Sequence, residues 1–172
     1  QTLWIPDSTG VSLHPRMVVP VITTGLKAWH VRHSTRFFTH TCLKALLQRV
    51  SAPSIVISAG EIDCREGLGG PLLEGYKHSC HEHVRQTVKE YVNALHELVD
   101  DPETAVQQIL VMPIAPHKQT SKGRVEAQAA RRETSRAWNE ELRSLLPIDG
   151  SVFLLDYETA LQVPDQEAYI LK

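Results

Sequence analysis

Short apolar runs alternate with longer amphipathic segments along this chain. Five runs rich in Val, Ile and Leu have the length of β-strands, at residues 3–5, 17–22, 54–58, 109–114 and 152–156. The last three are almost continuously apolar, which is typical of strands buried on both faces of a parallel sheet. The pattern therefore predicts a parallel sheet with its strands spread along the whole sequence.

Three segments between these runs have apolar residues at helical spacing. The first follows a capping Ser34 or Thr35 and runs through Phe37, Phe38, Cys42, Leu43, Leu46 and Leu47 to Val50. The second extends from about His78 to Val99. The third extends from about Arg124 to Leu146, with an inward face of Ala127, Ala130, Thr134, Ala137, Trp138, Leu142 and Leu145.

Alternation of strands with long helices predicts an α/β fold, a three-layer α/β/α sandwich with a parallel sheet of the flavodoxin-like kind. A length of 172 residues suits a single domain over residues 1–172. The chain begins at Gln1 rather than Met and stops in the apolar stretch before Lys172. We therefore expect either a processed chain or one that is incomplete at both ends.

Composition and charge narrow the functional classes. The net charge of −2 and the pI near 6.5 give no electrostatic reason to expect nucleic acid or an anionic membrane as a partner. No apolar run approaches the roughly 18 residues of a membrane span. Three scattered cysteines do not form a disulfide framework, and they mildly favour a reducing compartment. Neither a cofactor nor a metal is expected.

Charged residues are concentrated directly after the third predicted strand, in the stretch Ser58-Ala59-Gly60-Glu61-Ile62-Asp63-Cys64-Arg65. Ligands of parallel α/β folds bind outside the carboxyl ends of the strands, which is where this stretch is expected. The carboxylates of Glu61 and Asp63 can serve chemistry, or they can accept backbone N–H bonds and cap a turn. Arg65 can clamp an anion or form a local ion pair. The residues alone leave these alternatives open.

With this stretch in place, the chain resembles the SGNH (GDSL-type) hydrolase superfamily. That family has a nucleophilic Ser in a Gly-Asp-Ser turn after its first strand, a Gly after its second, and a Gly-x-Asn-Asp motif after its third. Pro6-Asp7-Ser8, Gly25 and Gly60-Glu61-Ile62-Asp63 occupy the three places here. The resemblance implies a three-layer α/β fold and ester hydrolysis or acyl transfer through a serine.

The resemblance, together with the loops that follow the predicted strands, singles out individual residues. Ser8 and Asp63 are the candidate catalytic residues, with Asp63 shaping its loop rather than attacking. The candidate oxyanion-binding or substrate-binding residues are Gly25, Gly60, Glu61, Arg65 and His117. The implied substrate is an ester-bearing carbohydrate or lipid. His117 follows the fourth predicted strand, where it is either solvated or directed at substrate.

Three departures from the family pattern support a rival hypothesis. Pro6 stands where the family has Gly, and Ile62 stands where the family has an Asn that donates to the oxyanion. No His follows His117, so the family's C-terminal Asp-x-x-His motif is absent from these residues. The rival is a catalytically inactive domain that acts as a structural or binding subunit of a larger assembly.

Two further features have weaker functional interpretations. His78, Cys80, His81 and His83 carry side chains that ligate zinc, but no second ligand pair stands at a recognisable spacing, so a solvated helix start is the better explanation. Trp29 follows the second strand closely, so it either forms the wall of a pocket or covers the core.

Overall fold

The computed structural model describes residues 2–6, 18–20, 26–32, 38–68, 77–115, 125–147 and 149–157. Five strands form one parallel sheet: β1 (Thr2–Pro6), β2 (Val18–Pro20), β3 (Ser54–Ser58), β4 (Gln108–Val111) and β5 (Val152–Leu154). Their spatial order is β2-β1-β3-β4-β5. All four neighbouring pairs are parallel. The predicted α/β fold with a parallel sheet is therefore confirmed.

This strand order defines where the sheet changes direction. The connection from β1 leads to β2 on one side, whereas the connection from β3 leads to β4 on the other side. The boundary between β1 and β3 is thus the topological switch point, at which doubly wound sheets open a crevice for ligands. Pro6 pairs in register with Ser58, so both strands end at the same level.

Within the residues that the structure describes, the connections between the strands contain four helices and one π-helical segment. The helices are α1 (Ala28–Val31), α2 (Phe38–Arg49), α3 (Lys77–Asp100) and α4 (Val125–Leu145). The π-helical segment, Asp63–Leu68, follows the turn at the end of β3. Side chains from all four helices share one hydrophobic core, which includes Leu43, Val88 and Trp138.

The alternation of side chains along the strands shows which face of the sheet this core covers. Ile55 and Ile57 of β3 belong to the shared core, whereas Val56 between them packs with Met112 in a second, smaller cluster. The described helices therefore pack on a single face of the sheet. Val56 is nevertheless buried, as expected for a strand of an internal parallel pair.

The predicted helices are present with boundaries shifted by a few residues, and individual facing predictions differ. Leu145, predicted to face inward, is 37% exposed, and the buried residue at that end is Leu146. Phe38 is 64% exposed because it is the first residue of α2 and precedes the buried face formed by Leu43 and Leu47. The proposed caps, Ser34 and Thr35, lie outside the described residues.

The fourth strand is shorter than its apolar run predicted. The sequence indicated a strand to residue 114, but β4 ends at Val111. Ile114 instead directs its backbone to the side chain of Asn139 on α4: its N–H donates to Oδ1 at 2.8 Å, and its carbonyl accepts from Nδ2 at 2.9 Å. A buried side-chain amide thus replaces the partner strand and pins the segment after β4 to α4.

Candidate functional site

The switch point contains the charged stretch that the sequence placed there. Gly60 to Asp63 follow β3 directly, beside the carboxyl end of β1. The structure differs from the sequence interpretation in one respect: the stretch is not an open loop but enters helical structure at residue 61 and continues into the π-helical segment. The N–H of Cys64 donates to the carbonyl of Gly60 at 2.9 Å and closes the first turn.

Asp63 fastens this turn to the segment after β2. Its carboxylate accepts hydrogen bonds from the backbone N–H groups of Ala28, at 2.8 Å, and Trp29, at 3.3 Å. These are the first two residues of α1, whose amides have no partner within the helix. Asp63 therefore holds together the loops after β2 and β3.

Burial and hydrogen bonding shift the pKa of the Asp63 carboxyl in opposite directions. The side chain is almost fully buried, and loss of solvation raises its pKa above the ordinary value. The N–H groups of Ala28 and Trp29 stabilise the charged form and work against this increase, but desolvation is the larger effect. A raised carboxyl pKa is common at functional sites and also at buried structural ones.

Glu61 and Ile62 complete the turn. Nη1 of Arg65 lies 3.6 Å from Oε1 of Glu61, which makes a local ion pair within one helical turn. Oε2 of Glu61 is buried and has no hydrogen-bond partner in the described part of the chain. The side chain of Ile62 is buried, so the position that holds an Asn in the SGNH motif here contributes to packing and has no donor.

Position 60 requires glycine for two reasons, its backbone conformation and the close approach of a neighbouring side chain. Its φ is +113°, a conformation that residues with a side chain rarely adopt. A Cβ at this position would lie 2.6 Å from Cε2 of Trp138. The buried indole Nε1 of Trp138, in the same close contact, has no hydrogen-bond partner within residues 26–32, 38–68, 77–115, 125–147 and 149–157. The Gly of the motif thus allows α4 to pack against the end of β3.

Three of the predicted site residues cannot be placed. Ser8, Gly25 and His117 lie outside the described residues. Each follows a described or predicted strand closely in sequence, Ser8 two positions after the end of β1 at Pro6. The residues that the structure does bring together are Gly60, Glu61, Asp63 and Arg65.

A pocket of about 650 Å³ adjoins Asp63, between α1 and the N-terminal half of α3. Its lining residues are Lys27, Trp29, His30, Arg32, Asp63, His83, Gln86, Thr87 and Glu90. Sequence reasoning identified Trp29 as a possible pocket wall, which is confirmed, but it missed the contribution of α3. Gln86, Thr87 and Glu90 belong to an ordinary polar helix face in the sequence, and no sequence signal marks them.

Arg32 fixes one wall of this pocket. Its guanidinium forms an ion pair with Glu90 and lies over the indole of Trp29, 3.0 Å from the ring centroid. Its Nε also donates to the carbonyl of Trp29 at 3.2 Å. The guanidinium covers one face of the Trp29 ring, and the side chain remains 50% exposed.

The histidine-rich start of α3 shows no metal site in the part that can be described. Among the described residues no cluster of three or more His, Cys, Asp or Glu could hold an ion. The side chains of His78 and Cys80 lie outside that part. His81 Nε2 lies 3.5 Å from Oε1 of Glu133 on α4, and His83 lines the pocket.

None of the described helices combines the length and the apolar character needed to cross a bilayer. The longest of them, α3, is amphipathic and packs against α4.

Comparison with known proteins assigns no family. Neither a protein-family model nor a curated protein sequence matches the chain. The class that the structure defines is therefore a parallel α/β protein with strand order 2-1-3-4-5, a fastened turn at its switch point and an adjoining pocket.

Proposed function

We propose that this protein is an SGNH-type esterase or acyl-transfer enzyme whose reacting centre lies at the switch point. The observation that carries the proposal is the bond between Asp63 and the amides of Ala28 and Trp29. It joins the segments after β2 and β3, which are two of the three loops from which an SGNH site is built. The third loop begins at Pro6, in register with Ser58. The three-layer, SGNH-like form of the α/β fold is part of the same proposal.

The chemistry follows from the roles that the resemblance assigns. The hydroxyl oxygen of Ser8 attacks the carbonyl carbon of the ester, its proton passes to a general base, and the alcohol leaves with a proton. Water, or a second alcohol in acyl transfer, then attacks the acyl-serine and restores the hydroxyl. Backbone N–H groups near Gly25 and Gly60 are the candidate donors to the oxyanion, because the side chain of Ile62 has no donor. The resemblance places the general base in a C-terminal Asp-x-x-His motif, which these residues lack, and gives His117 as a candidate for contact with substrate.

A second candidate function is supported by Ile62 and Asp63 together. Ile62 is buried in place of an oxyanion donor, and Asp63 is committed to two backbone N–H groups. In this form the third motif is a structural fastener, and the domain is an inactive relative that binds a ligand or a partner subunit. Such a domain would act as a structural or binding subunit of a larger assembly.

Hydrolysis of short-chain aryl esters tests the two candidates. The comparison uses the unaltered chain, Ser8→Ala, His117→Ala and, as a matched control, Ser144→Ala on the exposed surface of α4. We expect turnover that Ser8→Ala abolishes and Ser144→Ala leaves unchanged. A serine-directed phosphonate should label Ser8 in the unaltered chain that shows this turnover.

Two results would contradict the enzyme hypothesis. Equal turnover by the unaltered chain and Ser8→Ala removes Ser8 from the mechanism. Absence of both turnover and phosphonate labelling in a folded, full-length protein favours the inactive binding domain instead.

A further inference from the structure

The pocket beside Asp63 has the dimensions and the construction of a ligand site. Its volume of about 650 Å³ lies within the ~300–1,000 Å³ that small-molecule sites span. It is built on helices α1 and α3 rather than on loops alone, and both helices contribute to the main core through Val31 and Val88. Its shape is therefore set by packed secondary structure.

The aromatic wall of the pocket is held in place before any ligand arrives. Arg32 contacts Trp29 through its guanidinium and its Nε, and Glu90 holds Arg32 from α3. Gln86 donates to the other carboxylate oxygen of Glu90 at 2.8 Å. A half-exposed indole that is already ordered loses little side-chain entropy on binding, which favours its use as a stacking surface.

The charges that line the pocket determine the class of ligand. Lys27 and Arg32 bring two positive charges, and Asp63 and Glu90 bring two carboxylates. This balance gives neither an anion nor a cation a net electrostatic advantage. Gln86 and Thr87 add neutral donors and acceptors.

We propose that this pocket binds a neutral carbohydrate, with one sugar ring stacked on the face of Trp29 opposite Arg32 and its hydroxyl groups bonded to the polar residues of α3. A sugar ring has an apolar C–H face that fits an indole, and hydroxyl groups around it that both donate and accept. A lipid chain would displace water from the polar lining groups and offer them no hydrogen bonds in return, which costs free energy. The use of this site to present a sugar ester to Ser8 rests on the proposed function, but the binding itself does not.

The test titrates the full chain with cellotriose, xylotriose and chitotriose by isothermal calorimetry, with sodium phosphate and hexanoate as charged probes. We expect saturable binding of at least one trisaccharide and none of the two anions. Trp29→Ala should weaken that binding by at least ~10-fold, the loss expected when a principal stacking contact is removed. Phe38→Ala is the matched control, since Phe38 is an exposed aromatic that does not line the pocket.

Additional variants separate this proposal from the esterase hypothesis and from misfolding. An unaltered chain that binds a trisaccharide but shows no ester turnover contradicts only the proposed function. Gln86→Ala changes an exposed side chain of the pocket and should also weaken binding. It therefore tests the site even where Trp29→Ala proves unstable. The proposal is overturned if no trisaccharide binds, if the anions bind instead, or if Trp29→Ala and Gln86→Ala both bind normally.

Discussion

Replacement of Asp63 tests how the switch point is assembled. Asp63→Ala removes the acceptor for the N–H groups of Ala28 and Trp29, and Ala28 is fully buried, so water cannot readily replace the lost bond. Hydrogen bonds to charged groups contribute ~1.5–3 kcal/mol each, and the cost of burying the carboxylate offsets part of the two together. We expect Asp63→Ala to lower the free energy of unfolding by ~2–4 kcal/mol.

Asp63→Asn separates hydrogen bonding from charge. The Asn side chain has the same shape, its carbonyl oxygen can still accept from an N–H, and it avoids the desolvation of a charge. We therefore expect a smaller loss than for Ala, ~0–2 kcal/mol. Chemical denaturation followed by circular dichroism at neutral pH measures both variants, and Glu140→Ala, which removes an exposed carboxylate from α4, is the control.

The difference in stability between the unaltered chain and Asp63→Asn depends on pH with a definite sign. Desolvation raises the pKa of Asp63 in the folded protein above the ordinary 3.8, so between these two values the folded protein binds more protons than the unfolded chain. The contribution of Asp63 to stability is therefore fully present below pH 3.8 and is lost as the pH rises through the raised pKa. The stability of the unaltered chain relative to Asp63→Asn should fall over that interval and then stay level.

Two outcomes would refute this reasoning. A loss for Asp63→Ala no larger than that for Glu140→Ala would show that the bonds to α1 do not hold the fold together. A stability difference between the unaltered chain and Asp63→Asn that grows with rising pH would show that hydrogen bonding, rather than desolvation, dominates the pKa of Asp63.

Two further predictions concern neighbouring contacts. Gly60→Ala should destabilise the protein by ~2–4 kcal/mol in thermal or chemical unfolding, because it combines a positive φ with a Cβ 2.6 Å from the Trp138 ring. A loss below ~0.5 kcal/mol would contradict the close packing. Asn139→Ala should lower the free energy of unfolding by ~2–4 kcal/mol, because both backbone groups of Ile114 lose their partner. Faster amide exchange at Ile114 should accompany this loss, and unchanged exchange would contradict the two hydrogen bonds to Asn139.

The sequence predicted most of the fold because the relevant signals are local. Near-continuous apolar runs such as Ser54–Ser58 indicate strands buried on both faces, and the spacing of apolar residues along α3 indicates an amphipathic helix. The parallel arrangement follows, since strands separated by long helices need crossovers. The position of Gly60 to Asp63 at the carboxyl edge follows from the same reasoning, and the structure agrees.

The end of β4 and the exposure of Leu145 show where local signals fail. The apolar run to Ile114 indicates strand, but the backbone of Ile114 pairs with Asn139, 25 residues away in the sequence. Leu145 satisfies the helical period, yet α4 ends there and the chain turns so that Leu146 is buried instead. Period and propensity cannot show where a distant element stops covering a surface.

By itself the sequence determined the α/β class, the helices and strands, and the edge at which a site would lie, because each depends on residues close together in the chain. Only the tertiary structure decided what those residues contact. Asp63 bonds to Ala28 across 35 positions, and Arg32 pairs with Glu90 across 58. Such partners are chosen by the packing of helices on a shared sheet face, so the fastened turn and the pocket beside it exist only in the folded chain.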